Sequence, residues 1–194
     1  MRSYVRLTGI LLIVCVFAAA ILGVTNAVTS ERIIEEAIKA DNKARKEVLA
    51  EATEFIKVED NTIEKILEKL EYDIIDEVFE GREGEQIVGY TIKVTPTGYG
   101  GVMEIIVGVN KDGKVSGIKV GNNGETPGLG KNAATPKFQD QFQGKDWESG
   151  VNVIKNGTPE DDEILSIAGA TMTSDAVADG VNKALDLAKE LFNI

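Results

Sequence analysis

At 194 residues the chain has room for one ordinary domain with additions, and with 43 % hydrophobic and 27 % charged residues its composition is globular. The net charge of −11 argues against nucleic acid as a partner, because phosphate binding needs clustered Lys and Arg. Histidine is absent and Cys15 is the only cysteine, so a multi-ligand zinc or iron–sulfur site, an intrachain disulfide and a Cys–His or Ser–His catalytic pair are not expected.

Leu7 to Val28 carries no charge over 22 positions, and a membrane-spanning helix needs about 20. Arg2 and Arg6 precede this run; Glu31, Glu35 and Glu36 follow it. The positive-inside rule then puts residues 1–6 in the cytoplasm, residues 7–28 across the membrane and the bulk of the chain outside. A cleaved signal peptide competes, with Thr25-Asn26-Ala27 as the small-residue site, but the run exceeds the 7–15 apolar residues of a signal core. Cys15 lies inside the run and is expected to be buried in lipid or protein.

Residues 29–71 read as a helical connector. Ser30 to Phe55 lacks Gly and Pro and is rich in Ala, Glu and Lys, which predicts helix. Asn61-Thr62-Ile63-Glu64 resembles a capping arrangement, and Ile63, Ile66, Leu67 and Leu70 then follow at helical spacing. Residues 72–194 are expected to form one domain. Val88, Tyr90, Ile92 and Val94 alternate as a half-buried strand ended by Pro96. Gly98-Tyr99-Gly100-Gly101 is a turn, Val102 to Val109 an apolar strand, Asn110-Lys111-Asp112-Gly113 a hairpin turn, and Lys114 to Val120 the return strand. The result is an α+β domain, an antiparallel sheet with flanking helices.

Glu125-Thr126-Pro127-Gly128-Leu129-Gly130 is an irregular loop; it has neither the ending of a Walker loop nor the spacing of a dinucleotide fingerprint. Thr135-Pro136 opens a helix, with Thr as N-cap and Pro at the first position, and Gly144 ends it. Phe138 and Phe142 share one face of it. Val151 to Ile154 is a short strand, and Glu160 to Glu163 a solvated acidic run.

Ala168-Gly169-Ala170-Thr171-Met172-Thr173-Ser174 stands before the strongest helical pattern, in which Val177, Val181, Ala184, Leu185, Ala188, Leu191 and Phe192 recur every three or four residues. Thr173 or Ser174 is the expected N-cap. A small-residue turn, a hydroxyl and the positive end of a helix suit a phosphorylated cofactor. The same residues also read as a capped helix after a tight turn.

Ala168-Gly169-Ala170-Thr171 resembles the S/T/A-G-A-T flavinylation motif of the FMN-binding domains in the G subunit of Rnf complexes and in the C subunit of the sodium-translocating NADH:quinone oxidoreductase. Glu125 to Gly130, Gly98 to Gly101 and Asp140-Gln141-Phe142-Gln143-Gly144-Lys145 resemble further signatures of the Rnf protein, in the family's order. The resemblance implies FMN joined covalently by a phosphoester to the Thr171 hydroxyl, made by a separate flavin transferase. Gly169, Ala170, Thr173 and Ser174 would form the rest of the phosphate cradle. Glu125, Thr126, Gly128, Leu129 and Gly130 would line the isoalloxazine ring or ribityl chain; Lys131 reads first as a surface lysine and Tyr90, Tyr99 and Trp147 as packing residues, with flavin contact as the alternative for each. One departure stands out: the family often has Asp six residues before the threonine, and Leu165 occupies that place.

The implied role is an electron-relay subunit, without an independent catalytic site, in a membrane complex that couples electron transfer between ferredoxin and NAD to ion movement. Its partners would be the other subunits, the transferase and the membrane. The alternatives are an FMN-carrying subunit of another extracytoplasmic electron-transfer system and a membrane-anchored binding module without cofactor.

Overall fold

The structure, a computed structural model, describes residues 2–70 and 72–193. Met1, at the head of the expected segment 1–6, Glu71, at the expected domain boundary, and Ile194 lie outside the described residues. The chain divides into two compact units, Met1–Asn42 and Lys43–Ile194.

The first unit belongs to α1 (Arg2–Val48). Its apolar stretch is exposed on all sides, and none of the most hydropathic 18-residue window is buried. A stretch that is apolar all round has the length and composition to cross a membrane. Cys15 is exposed on this surface.

The second unit is built on a five-stranded antiparallel meander: β1 (Glu54–Lys57), β2 (Ile75–Glu83), β3 (Gln86–Val94), β4 (Met103–Asn110) and β5 (Val115–Asn123), in that spatial order. α2 (Asp60–Leu70) links β1 to β2. After β5 come the one-turn helix α3 (Pro136–Gln139), β6 (Asn152–Ile154), β7 (Glu163–Leu165) and the long α4 (Thr171–Phe192). β6 and β7 form a separate parallel pair.

α4 supplies the inner layer. Val177, Val181, Ala184 and Leu185 are buried in one core with Ile92, Val94, Ile105 and Val107 of the sheet. Gly180 allows this closeness, since a Cβ there would stand 3.1 Å from Val94 Cγ2 and 3.2 Å from Pro96 Cγ.

The sheet's outer face carries a glycine trough. Gly81 pairs with Gly89 across β2 and β3, and Gly108 with Gly117 across β4 and β5. The end of α1 and the turn after it fill the trough. A Cβ at Gly81 or Gly89 would strike Leu49, and one at Gly108 would strike the Val48 carbonyl. Arg45, 4 % exposed, pairs with Glu77 at 2.5 Å and lies 3.9 Å from the centre of the Phe79 ring.

These contacts correct three expectations. Helix was expected as far as Phe55, but α1 stops at Val48. Leu49 and Ala52 turn into the sheet, and Thr53 N donates to Arg82 O to begin the β1–β2 ladder. Tertiary burial here overrides helix propensity, and the expected helical connector of residues 29–71 contains a strand. Secondly, β3 is not half-buried: Gly89 and Thr91 are covered as well, because both faces of the sheet are packed. Thirdly, α2 begins at Asp60, ahead of the expected Asn61 cap, and the Glu59 carbonyl accepts from Thr62 N and Ile63 N.

Candidate functional site

Three segments, far apart in sequence, converge at the N-terminus of α4. The first is the turn 98–101, closed by Gly98 N donating to Gly101 O at 2.9 Å. The second is the loop 124–130, in which Gly128 adopts φ +79°. The third is the turn into α4, where Gly169 adopts φ +75°. Both glycines are in the left-handed region, where a Cβ is strained.

Between them lies a cavity of about 370 Å³, within the roughly 300–1,000 Å³ usual for small-molecule sites. Tyr99 comes from the first segment, Glu125, Thr126, Leu129 and Gly130 from the second, and Gly169, Ala170, Thr171, Met172 and Thr173 from the third.

The helix start differs from the expected one. Ala170 is the N-cap, without a side-chain cap, and Thr171 is the first helical residue. Thr173 and Ser174 therefore lie inside the first turn, where their hydroxyls serve other partners. Thr173 Oγ1 donates to Glu125 Oε2 at 2.8 Å. Ser174 Oγ donates to Ala170 O at 3.0 Å and accepts from Ile167 N at 2.9 Å, bracing the turn from behind the cavity wall. The first main-chain bond of the helix runs from Ser174 N to Ala170 O. The amides of Thr171, Met172 and Thr173 thus have no partner within the helix and leave its positive end open beside the cavity.

Glu125 is the only charged residue among the lining residues. It is 3 % exposed, and its Oε1 accepts from Gly100 N at 2.9 Å. No lysine or arginine lines the cavity. An anion there would be held by backbone amides and helix dipole, which contribute about 0.3–1 kcal/mol, or ~2 in a partly buried setting.

Of the expected site residues, Glu125, Thr126, Leu129, Gly130, Gly169, Ala170, Thr171 and Thr173 all line the cavity. Gly128 shapes the loop from outside the lining, and Ser174 stands behind it. Lys131 is not among the lining residues. Tyr90 packs edge-on against Phe192 in the core at 4.8 Å, and Trp147 lies 5.9 Å from the same ring. Tyr99 does reach the cavity. Met172 is 57 % exposed and lines the cavity. Its position, one residue past the threonine on a helix that begins at Thr171, is what turns it outward.

Thr135 also departs from its expected role. It stands at the N-cap position of α3, but its hydroxyl donates to Asn132 O and caps nothing. Pro136 does occupy the first turn, and α3 passes into a 3-10 turn over Asp140–Phe142 before Gly144 at φ +83°. Gln139 fastens this piece beside the site: its Oε1 accepts from Val120 N at 2.8 Å and its Nε2 donates to Ala134 O at 3.0 Å.

A pocket with a helix N-terminus at one end and apolar Tyr99, Leu129 and Met172 around it suits a ligand with a phosphate and a flat ring. Comparison with known proteins points the same way. The G subunit of the Na(+)-translocating ferredoxin:NAD(+) oxidoreductase complex of Acetobacterium woodii is 37 % identical over 191 residues, 96 % of this chain and 92 % of that protein. This chain belongs to the family of Rnf G subunits. The FMN-binding domain profile matches residues 98–186, which contain all three cavity segments. The G subunit of the proton-translocating complex of Clostridium ljungdahlii is 28 % identical over 95 % of this chain and 91 % of that protein. Family likeness to the C subunit of the Na(+)-translocating NADH-quinone reductase is more local: the Vibrio anguillarum protein is 35 % identical over 104 residues, 50 % of this chain and 41 % of its own length. The fold is shared with the crystal structure of the same reductase subunit from Parabacteroides distasonis, with a TM-score of 0.54, 22 % identity and coverage of 74 % of this chain and 79 % of that one.

Proposed function

We propose that this chain is the FMN-carrying electron-relay subunit of an Rnf-type ion-translocating ferredoxin:NAD oxidoreductase complex, with the FMN joined through its phosphate to Thr171. Family membership over nearly the full length of both chains carries the reading. The shorter match to the C subunit of NADH-quinone reductase makes the other electron-transfer system the weaker alternative.

The residues fit the cofactor. Thr171 and Thr173 both line the cavity, but their hydroxyls are not equivalent. Thr173 is fully buried and its hydroxyl is engaged with Glu125, whereas Thr171 is half-exposed at the first position of the helix. Access by a flavin transferase therefore favours Thr171. With no cation in the lining, reversible phosphate binding would be weak, and a covalent tether keeps the ring at a high local concentration. Gly169 and Ala170 bring the turn close to the hydroxyl without bulk, while Tyr99, Leu129 and Met172 offer apolar surface to the ring. When bound, FMN supplies the electron transfer; the protein orients it and sets its surroundings.

α1 anchors the chain as a single-pass helix in the cytoplasmic membrane, with Arg2 and Arg6 inside and the folded domain on the extracytoplasmic side. The helix carries no charge from Leu7 to Val28 and offers no ion path. The G subunits of a sodium-named and a proton-named complex both align with this chain, consistent with ion choice residing in other subunits.

The test is the intact mass of the full chain in detergent after co-expression with an active flavin transferase, followed by a denaturing gel viewed for flavin fluorescence. The expected result is a gain of one FMN less water, retained by Thr173→Ala and lost in Thr171→Ala. Flavin retained by the Thr171 variant, or an unmodified wild-type chain, would overturn the assignment. In the second case the departure at Leu165, whose side chain does not line the cavity, becomes the first suspect.

A further inference from the structure

The geometry points to Glu125 as a positioning residue whose buried carboxylate latches the three pocket segments together and holds the reduction potential of the flavin down. The inference rests on the reading of the pocket as an FMN site. It assigns to Glu125 a role beyond contact.

Both carboxylate oxygens accept. Oε1 takes the Gly100 N–H at 2.9 Å and Oε2 takes the Thr173 hydroxyl at 2.8 Å. The partners lie 25 and 48 residues away in sequence, so one side chain ties the turn 98–101 and the start of α4 to the loop 124–130.

The surrounding backbone makes room for this side chain. A Cβ at Gly98 would collide with Oε1 and a Cβ at Gly130 with Oε2, so the two glycines leave the carboxylate its seat. The seat is nearly dry, at 3 % exposure, and no lysine or arginine lines the cavity to offset the charge. A buried negative charge is poorly screened. Adding an electron to a ring held in the same cavity therefore works against it, and the ring becomes harder to reduce.

The experiment is a spectroelectrochemical titration of the flavin-loaded full chain in detergent, comparing wild type with Glu125→Gln and Thr173→Val. Gln keeps the size of the side chain, its amide oxygen can still accept from Gly100 N–H, and its amide can donate to the Thr173 hydroxyl. The latch stays and the charge goes. We expect the reduced form to be favoured about tenfold in a one-electron step, an upward shift of about 59 mV. Thr173→Val keeps the charge and removes one of its donors, so its potential should fall. A role in packing alone predicts that the two variants move together. An unmoved potential in the Gln variant, or a rise in both, overturns the inference. If the Gln variant carries no flavin, Thr173→Val decides: a fall supports the inference and any other result overturns it. Absence of flavin from the wild-type chain overturns the FMN reading and this inference with it.

Discussion

Gly130→Ala isolates the pocket latch from every other feature of the loop. Gly130 is not among the glycines with positive φ, so alanine can adopt its backbone conformation. What it cannot do is share space: the new Cβ would collide with Glu125 Oε2 and stand 2.8 Å from Thr173 Oγ1. The carboxylate must leave its seat, and it then loses both of its hydrogen bonds. Bonds to a charged group are worth about 1.5–3 kcal/mol each, and the displaced group regains part of that from water. The net cost should be about 3 kcal/mol in urea unfolding of the domain. A double-mutant cycle makes the reasoning refutable. In a Glu125→Ala background the seat is already empty, so Gly130→Ala should cost less than about 1 kcal/mol there, a coupling near 2 kcal/mol. Equal costs in the two backgrounds, or a cost below about 0.5 kcal/mol in the wild type, would show that the collision does not govern this position.

Gly128→Ala, two residues away, should cost only about 1–2 kcal/mol, because it meets open space and only its φ of +79° is strained; the same unfolding measurement checks it, and a cost matching that of Gly130→Ala would contradict it. Leu49→Ala empties the middle of the glycine trough, where Leu49 is 1 % exposed, and should cost about 2.7–5 kcal/mol; less than 1 kcal/mol would mean the outer face tolerates a void. Tyr72 donates to Asp186, and that hydrogen bond, with burial, pushes its hydroxyl up to about 12 from an ordinary value of 10.0. The neutral form is favoured in the folded state, so its contribution is complete below pH 10 and is lost as pH rises towards 12. Unfolding measured over that window should show wild type losing stability faster than Tyr72→Phe.

What could be read from the residues follows from how local each signal is. β3, β4 and the turn between β4 and β5 were legible because alternation and an Asn-Lys-Asp-Gly turn are written within a few residues. β2 was not: Ile75 to Glu83 holds four acids, and its ladder is broken by irregularities at Ile75/Glu77 and Gly81/Arg82, which destroys the period of two. β1 and the end of α1 were hidden for a different reason. Residues 49–55 favour helix on their own, and only the trough under Leu49 pulls them out of it. At the site, the glycines and Thr171 were visible as a motif. The division of labour between Thr171 and Thr173 was not, because it depends on Glu125, 48 residues upstream of Thr173, reaching one hydroxyl and leaving the other alone.

The glycine trough also decides where this protein can be cut. A soluble fragment begun at Tyr72 would keep the flavin pocket but discard Val48, Leu49, Ala52 and β1. The glycine-lined face would then meet water, and β2 would become a bare edge strand. An uncovered flat face beside an unpaired edge invites other chains to pair with it. A fragment begun at Lys43 keeps the segment seated in its trough and keeps β1 on the edge. The useful place to sever the anchor from the domain is thus inside a continuous helix, six residues before its end.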